Sequence, residues 1–271
     1  MSTRPGISAV VQTYNAEQHL DRCLEALKCF DEILVVDMES TDATAEIAAR
    51  HGARFIVKER GEHRIVEAYR DFAIHAATYD WVLVVDADEI VPPALAEYLY
   101  SAIEADPSPR AFLIPLKNYF MGRWLRSSYP DYILRFFNRE GAHWPYEIHA
   151  RVEHRGPKVK IPASRTDLAF IHLANEDMRS RVAKINAYTD SEKIRRRSKF
   201  KPLQFLYDPA FRFFKRYVLK GGFRDGMPGF IYAVNDAFYR YLTLAKIEEE
   251  LQADKPDKDI DRDIRNIADK K

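Results

Sequence analysis

The sequence predicts an α/β fold with a mostly parallel central sheet, helices on both faces and a C-terminal helical region. Two observations favour this fold class. Apolar strand segments alternate with helical segments from residue 7 to residue 115, the order that builds parallel sheets with right-handed crossovers. The segment 81–85 is apolar at every position, which is typical of a central strand buried on both faces.

Each predicted element of this half has its own signal. Leu20, Leu24 and Leu27 recur on one face of a helix. A Ser-Thr-Asp capping cluster starts the next helix, and a proline pair starts the last one. We predict strands over residues 7–13, 33–36, 55–57, 81–85 and 111–115, and helices over 17–29, 42–51, 64–77 and 93–104.

The sequence pattern changes after residue 115. The following segment is rich in aromatic residues, proline and arginine, and alternating runs such as 132–137 predict antiparallel hairpins. Helical patterns dominate from residue 177, and the chain finishes in a charged tail. We therefore divide the chain into residues 1–115, 116–175, 176–252 and 253–271.

Composition limits the class of protein. The chain has 271 residues and a formal net charge of +1, so its overall charge gives no case for nucleic-acid binding. Cys23 and Cys29 lack CxxC spacing and predict neither a disulfide framework nor a zinc site, which fits a reducing cytosol. No run reaches the roughly 20 apolar residues of a membrane span, and we expect a soluble or peripheral protein.

Charge is concentrated in one segment. Residues 179–224 hold fourteen Lys and Arg against three Asp and Glu. Within this segment one helix separates its apolar and basic side chains onto different faces. Such a helix is suited to an anionic membrane surface, or it packs its aromatic side on the protein and leaves a solvated basic face. The apolar face carries Phe211, Phe214 and Val218, and the basic face carries Arg212, Lys215 and Arg216.

Three acidic residues follow the buried strand at 81–85: Asp86, Asp88 and Glu89. An unpaired buried carboxylate costs several kcal/mol, so these acids must emerge at the carboxyl end of the strand. Ligands bind at that edge in open α/β sheets. Two aspartates one residue apart share a divalent cation that holds a diphosphate, or they cap the turn before the next helix.

Three polar clusters follow three predicted strands, at residues 13–17, 37–42 and 86–88. Because the carboxyl ends of parallel strands share one edge, we expect these clusters to face one cleft. The chain lacks a GxGxxG motif after the first strand and a P-loop, which disfavours a Rossmann dinucleotide site and a P-loop nucleotidase.

With these motifs the chain resembles the inverting family 2 glycosyltransferases, which have the GT-A fold. The matching segments are VVQTYNAEQHLDRCLEAL, DEILVVDMESTDATAEIA and WVLVVDADE. Residues 114–152 and 215–251 resemble the subgroup of lipopolysaccharide-core β-glucosyltransferases. The resemblance implies a nucleotide-sugar-binding core over 1–115, an acceptor side over 116–175 and an accessory helical region after it.

The resemblance implies roles for residues at the first two strand ends. Thr13, Tyr14 and Glu17 would line the nucleoside pocket. Asp37 would accept a hydrogen bond from the uracil N–H, a role that suits a carboxylate, or it caps a turn at the end of its strand.

Three further residues near these strand ends are ambiguous. Helix capping alone explains the residue types of Ser40 and Asp42. Arg70 falls where relatives carry an arginine near the nucleotide and would contact the diphosphate, but Asp71 follows it where relatives usually have asparagine. A solvated surface arginine is the alternative.

The resemblance also implies a metal site. Asp86 and Asp88 would form the DxD pair, with Asp86 at the ribose or a metal-bound water and Asp88 on the cation itself. His172 would add a further ligand, or it is a core histidine. Mg²⁺ or Mn²⁺ suits hard oxygen ligands and would neutralise the departing nucleoside diphosphate.

An inverting transferase needs a base for the acceptor hydroxyl. Relatives often carry an acid directly after the His of a Trp…Val-His-Glu pattern, where this chain has Ala150. Glu147 is the first candidate for this base and Asp131 the second, and Glu89 is a further alternative. Each acid has the alternative role of a structural partner for an arginine.

The sequence therefore predicts a cytoplasmic enzyme that transfers a hexose from a UDP-sugar such as UDP-glucose to a saccharide hydroxyl. Its basic helices either face the inner membrane or stay solvated. The resemblance to the subgroup implies a lipopolysaccharide core or another cell-envelope glycan as the acceptor. A sugar-phosphate nucleotidyltransferase needs a glycine- and lysine-rich first loop, and residues 13–19 contain neither residue. Ala150 leaves a catalytically silent sugar-nucleotide-binding module as the other alternative.

Overall fold

The computed structural model describes residues 4–59, 67–108, 110–145, 152–173, 177–197 and 200–253. The chain forms two compact units, Met1–Asn175 and Glu176–Lys271. The first unit contains the sheet and the second unit is helical. In the described residues, no helix is long and apolar enough to cross a membrane.

The first unit is built on a ten-stranded sheet with a separate two-stranded ribbon. Its strands are β1 Ile7–Thr13, β2 Glu32–Asp37, β3 Arg54–Val57, β4 Trp81–Asp86, β5 Glu89–Ile90, β6 Ala111–Phe120, β7 Arg123–Trp124, β8 Asp131–Asn138, β9 Ala142–His143, β10 Glu153–His154, β11 Lys158–Lys160 and β12 Phe170–His172. Its helices are α1 Glu17–Glu25, α2 Thr44–Arg50, α3 Glu67–Ala76 and α4 Pro93–Ala105.

The order of strands along the sheet is β3-β2-β1-β4-β8-β6-β12-β5, and β7 and β11 pair with β6. The strands β3, β2, β1 and β4 are parallel, as predicted. In the register of this half, Thr13 pairs with Asp37 and Gln12 pairs with Asp86. The carboxyl ends of three strands therefore lie side by side.

The sheet is mixed, because β8 lies antiparallel between β4 and β6 and the short strands β5 and β7 are antiparallel to β12 and β6. The connection from β4 through α4 to β6 skips one position, and β8 fills the gap by pairing with both neighbours. This strand contains the alternating run at 132–137, for which the sequence predicts an antiparallel hairpin. A mostly parallel sheet with an antiparallel insert agrees with the predicted fold class.

Helices cover both faces of the sheet, as predicted. One core combines alternate residues of the strands with Leu20 and Leu24 of α1 and with Leu95 and Leu99 of α4. The core on the other face contains Ala73 and Ile74 of α3. The strands contribute to both cores because successive strand residues point to opposite faces of the sheet.

Helix α1 ends at Glu25, before the predicted end at residue 29. The amide of Leu27 donates to the carbonyl of Leu24 at 3.0 Å and that of Phe30 to the carbonyl of Leu27 at 3.0 Å. These three-residue bonds are tighter than α-helical ones. Leu27 remains fully buried in this turn, which satisfies the apolar periodicity without a longer helix.

The second unit consists of α5 Met178–Arg196, α6 Gln204–Phe214 and α7 Gly226–Ala253. A π-helical turn, Lys215–Leu219, continues α6, and a 3-10 turn, Gly222–Asp225, leads into α7. The long helix α7 packs against both α5 and α6. Its buried residues include Ala233, Leu244 and Ile247.

Candidate active site

The carboxyl edge of the parallel strands joins the first two predicted clusters. The hydroxyl of Thr13 donates a 2.7 Å hydrogen bond to Oδ1 of Asp37, and both side chains are buried. This bond follows from the register, which pairs the two residues across β1 and β2. The convergence of these clusters at one edge agrees with the expectation from the strand order.

Asp37 caps the turn that follows β2. Its Oδ2 accepts the amide of Ser40 at 2.7 Å, and its Oδ1 accepts the Ser40 hydroxyl at 2.6 Å. With the bond from Thr13, three of the roughly four acceptor positions of a carboxylate are used. The capping role is therefore present, and the fourth acceptor position has no hydrogen bond from the described residues.

A second set of bonds joins the loops after β1 and β2. Asp42 accepts the amide of Glu17 at 3.0 Å and the amide of Thr44 at 3.0 Å, so it caps the start of both α1 and α2. Oε2 of Glu17 in turn accepts the amide of Ala43 at 3.1 Å. The residue type of Asp42 is explained by these structural bonds.

Tyr14 lies beside this network with 41% of its surface exposed. The neighbouring residue Asn15 has φ 49° and Glu39 in the second loop has φ 58°. Left-handed backbone at a residue other than glycine is uncommon and is concentrated at functional sites. The hydrogen bonds that join the two loops hold this backbone in place.

Asp86, at the end of β4, is held between two arginines. Nη2 of Arg70 donates to its Oδ1 at 2.8 Å, and Nη2 of Arg135 donates to its Oδ2. Burial opposes ionisation, but the charges of Arg135 and Arg70 outweigh it and hold the pKa of Asp86 well below its usual range. The carboxylate is therefore ionised at neutral pH. Asp86 stands at the centre of a cationic clamp.

The clamp is rigidly placed. Only 9% of Arg70 and 9% of Arg135 are exposed, and the Arg70 guanidinium lies 4.7 Å from the ring centroid of Trp144. Such a stacked guanidinium gains a cation–π attraction. Arg70 is thus buried beside Asp86, and the alternative of a solvated surface arginine does not describe it.

Glu89 is buried behind the clamp, with 2% of its surface exposed. It accepts the amide of Asp86 at 2.9 Å and lies 3.7 Å from Arg135. Burial raises the pKa of Glu89 to about 7, Arg135 opposes the rise and Asp86 adds to it. These contacts describe a structural partner of the turn and of an arginine, which is one of the two roles that the sequence leaves open for this acid.

Asp88 faces His172 across the next part of the edge. Nε2 of His172 lies 3.2 Å from Oδ2 of Asp88, and about a third of each side chain is exposed. Burial would raise the pKa of Asp88, but His172 outweighs it and lowers the pKa. Burial would lower the pKa of His172, but Asp88 outweighs it and raises the pKa. The contact between the two groups therefore favours a protonated His172 beside an ionised Asp88.

Asn118 fixes the other side of the histidine ring. Nδ1 of His172 lies 2.8 Å from Oδ1 of Asn118, and Nδ2 of Asn118 donates to Asp131 at 3.2 Å. An amide in this orientation makes Nδ1 of the ring the donor and turns Nε2 toward Asp88. A hydrogen-bonded chain thus runs from Asp131 through Asn118 and His172 to Asp88.

The donor set at Asp88 and His172 fits a divalent cation. Two ligands at right angles, each about 2.1 Å from an ion, lie about 3.0 Å apart, close to the observed 3.2 Å. The described residues contain no group of three or more His, Cys, Asp or Glu that could hold a metal. A cation here would complete its shell with phosphate oxygens and water, as Mg²⁺ commonly does.

The sequence profile of Glycosyl transferase family 2 matches residues 8–154, just over half of the 271 residues. This chain belongs to that family. The matched segment contains the edge residues from Thr13 to Asp131.

Relatives of this family 2 enzyme cover most of its length. The lipopolysaccharide core biosynthesis glycosyltransferase LpsC of Rhizobium meliloti is 26% identical over 253 residues, 89% of this chain and 91% of LpsC. An uncharacterised glycosyltransferase of Rickettsia typhi is 27% identical over 90% of this chain and 87% of its own length.

Among solved structures, this family 2 chain is similar to S. aureus TarS 1-349, with 25% identity, a TM-score of 0.37 and coverage of 42% of this chain and 36% of TarS. It is also similar to glucosyl-3-phosphoglycerate synthase from Mycobacterium tuberculosis, crystallised with Mn²⁺, UDP and glucosyl-3-phosphoglycerate. That match has 22% identity, a TM-score of 0.34 and coverage of 44% and 45%. The family assignment and the GT-A fold expected from the sequence are confirmed by the family profile and by the sheet with its flanking helices.

In the family 2 enzyme, the structure describes one of the two base candidates, Asp131, and not the other. Glu147 and the neighbouring Ala150 lie outside the described residues. Asp131 is exposed at the start of β8 and lines a cavity of about 430 Å³ together with Arg70, Arg135 and Trp144. Asp131 therefore opens onto the same space as the clamp around Asp86.

Sequence reasoning missed two polar residues of this family 2 site, Arg135 and Asn118. Arg135 had a signal, because it is the one charged residue inside the run 133–137. Asn118 had none, because the predicted strand stopped at residue 115 and β6 continues to Phe120. Gln12, which pairs with Asp86 in the register, is also buried, and its amide has no hydrogen-bond partner among the described residues.

Proposed function

We propose that this family 2 enzyme is an inverting hexosyltransferase that moves a hexose from a UDP-sugar, UDP-glucose in the first instance, to a saccharide hydroxyl. The product would be a lipopolysaccharide core or another cell-envelope glycan. The name of the LpsC relative, which spans nearly the whole chain, supports this class of acceptor. The observation that carries the proposal is the cationic clamp on Asp86 beside the Asp88–His172 pair.

The nucleoside would lie against the first two strand ends. Thr13, Tyr14 and Glu17 lie on the loop after β1, and Asp37 keeps one acceptor position that suits the uracil N–H. The bonds between the two loops hold this surface in one conformation before a ligand arrives. Preorganisation of this kind lowers the entropic cost of binding.

The diphosphate would lie beside Arg70 and Arg135. Each guanidinium uses Nη2 on Asp86, and Nη1 of Arg135 has no hydrogen-bond partner among the described residues. A guanidinium fork recognises phosphate oxygens with charge and geometry together. The clamp would therefore stabilise the charge that develops on the leaving nucleoside diphosphate.

Asp88 and His172, with Asp86 beside them, would hold Mg²⁺ or Mn²⁺. The cation supplies charge neutralisation of the leaving diphosphate when it is bound. Asp88 would contribute a carboxylate oxygen and His172 its Nε2, while Asn118 keeps Nδ1 of the ring protonated. The 3.2 Å separation of the two donor atoms supports this assignment.

The acceptor hydroxyl would attack the anomeric carbon in a single displacement while a carboxylate takes its proton. Glu147 remains the first candidate for this base and Asp131 the second. The position of Asp131 on the 430 Å³ cavity beside the clamp supports it. Asn118 donates to Oδ2 of Asp131, and Oδ1, which accepts no hydrogen bond from the described residues, would face the substrate.

Release of UDP from UDP-glucose, with and without Mn²⁺, tests the proposed chemistry. We expect metal-dependent release and its loss in Asp88→Ala, with the thermal melting curve unchanged. The matched control is Asp167→Ala, an exposed aspartate paired only with Arg165 in the described residues. Metal-independent turnover in Asp88→Ala would overturn the metal site, and UDP binding without any turnover would favour the silent sugar-nucleotide-binding module.

The base is identified by comparing Glu147→Gln with Asp131→Asn. The variant that lacks the base should lose turnover while its affinity for UDP stays within twofold, because the proton leaves from the acceptor and not from the donor. If both variants keep full turnover, neither acid is the base.

We further propose that the enzyme is cytoplasmic and that its helical unit contacts an anionic membrane, without nucleic acid as a partner. Phe211, Phe214 and Val218 are exposed, as are Phe230 and Phe238 on α7. Exposed apolar side chains next to basic ones suit the boundary of an anionic bilayer. Co-sedimentation with phosphatidylglycerol vesicles should occur at low salt and weaken at high salt, and no such binding would contradict the proposal.

A further inference from the structure

The helical unit contains a cavity of about 360 Å³ that is separate from the residues of the sheet edge. It is lined by α5, α6, the π-helical turn and α7. Six of its lining side chains are cationic and two are acidic. The cations are Arg196, Arg212, Lys215, Arg216, Lys220 and Arg240.

The acidic groups near this cavity already have partners. Asp208 accepts both Nε and Nη2 of Arg240. Asp236 lies 3.0 Å from Nη1 of Arg212 and 3.7 Å from Nε of Arg216. Within the described lining, six cationic side chains thus accompany two carboxylates, a difference of four positive charges.

A neighbouring glutamate lowers this excess only slightly. Glu192, which does not line the cavity, accepts a hydrogen bond from Arg196. Counting Glu192 against Arg196 still leaves the six cations with an excess of three positive charges. An excess of this size attracts a multiply charged anion more strongly than a single carboxylate.

Arg240 gives the cavity a buried donor. Only 4% of Arg240 is exposed, and its Nη1 has no hydrogen-bond partner among the described residues. A buried donor without an acceptor destabilises the folded protein. An acceptor oxygen of a bound ligand would satisfy this donor, and the positive charge of the guanidinium favours an anionic acceptor.

We propose that this cavity binds a phosphate group carried by a phospholipid headgroup or by a soluble phosphate. Guanidinium groups match phosphate oxygens in pairs, and lysines add charge. The exposed ring of Phe211 lines the same cavity and offers an apolar surface to whatever the phosphate carries. Binding of a phosphate in this cavity depends neither on the donor site nor on turnover.

Calorimetric titration of the full chain with inorganic phosphate and with dihexanoyl phosphatidate tests this site. Lys215 is exposed at the cavity and forms no ion pair among the described residues. We expect Lys215→Glu to weaken binding of the ligand at least tenfold without loss of helix content by circular dichroism. Arg212→Gln provides a second variant within the cavity, and Lys184→Glu, on exposed α5 outside it, is the matched charge control.

The two ligands distinguish the sources of the phosphate. Binding of dihexanoyl phosphatidate alone assigns the site to a lipid headgroup, and equal binding of both ligands assigns it to phosphate itself. In either case the effect must follow Lys215→Glu and be absent in Lys184→Glu. The proposal is overturned if neither ligand binds saturably, or if the two charge reversals weaken binding equally.

Discussion

Nδ1 of His172 lies 2.8 Å from Oδ1 of Asn118, so the side chain that faces Asp88 is oriented by a residue of a neighbouring strand. Hydrogen bonds of this kind, from outside the ligand set, fix the tautomer of a ligating histidine and its ring orientation. Asn118 also donates to Asp131. One amide therefore links the proposed metal ligand to a candidate base.

Replacement of Asn118 by alanine should weaken Mn²⁺ binding by about 10–100-fold, the usual effect of losing such a partner. The reason is that the imidazole loses the acceptor that keeps Nδ1 protonated. Free Mn²⁺ measured by electron paramagnetic resonance checks this without any turnover. Asn186→Ala, at an exposed position of α5, is the control, and equal affinities in the two variants would refute the role of Asn118.

Replacement of Arg135 by glutamine should lower both stability and UDP affinity. Without Arg135, the carboxylate of Asp86 keeps Arg70 as its only arginine partner among the described residues. Breaking a buried ion pair costs up to about 3–5 kcal/mol. Because Arg70 remains, we expect a loss of about 1–3 kcal/mol in the free energy of unfolding, measured in urea. Arg165→Gln, with half of its side chain exposed, should change neither quantity. An Arg135→Gln variant with unaltered UDP affinity would remove Arg135 from the donor site.

Glu32 should make stability depend on pH. Burial would raise the pKa of Glu32, but hydrogen bonds from Ser8, Thr78 and Arg54 outweigh it and lower the pKa below 4.5. A lowered pKa in the folded state means that the carboxylate stabilises the fold above pH 4.5, and that this contribution disappears as the pH falls through the folded pKa.

Glu32→Gln should accordingly be less stable than the natural chain by about 1–2 kcal/mol at pH 7. The difference should shrink as the pH falls below 4.5, the ordinary value for glutamate. Urea unfolding at a series of pH values measures it. A difference that stays constant down to about pH 3 would show that the charge of Glu32 is not responsible.

Gly229 should not tolerate a side chain. A Cβ atom at this position of α7 would lie 2.1 Å from the carbonyl oxygen of Gly222 and 2.8 Å from Cβ of Asp225. Gly229→Ala should therefore destabilise the helical unit by about 1–3 kcal/mol, measured as a lower melting temperature. In an open helix the same change stabilises by roughly 1 kcal/mol, so a raised melting temperature would contradict the close packing.

Local patterns in the sequence were sufficient to predict the strands whose carboxyl ends form the candidate site. The apolar runs of β2 and β4 are continuous and are followed directly by Asp37 and Asp86, and the apolar residues 9–11 of β1 are followed by Gln12 and Thr13. Strand direction then brings these residues together without further information. The capping role of Asp42 also follows from its position before a helix.

Long-range pairing decided the parts of the site that the sequence pattern did not predict. Arg135 reaches Asp86 only because β8 inserts beside β4, with Phe136 opposite Leu83. Asn118 reaches His172 because β6 extends to pair with β12. The charge of Arg135 within an apolar run indicates a partner without identifying Asp86, and the residues next to Asn118 give no signal, so neither contact follows from local propensity.

The position of β8 has a consequence for dividing the protein. A fragment ending at residue 115 would lack β8, and the facing edges of β4 and β6 would present unpaired amides and carbonyls. Open edges of this kind recruit other chains and aggregate. Residues 1–115 and the segment that contains β8 are therefore one folding unit that cannot be separated at residue 115, and any exchange of later segments between relatives must carry β8 with it.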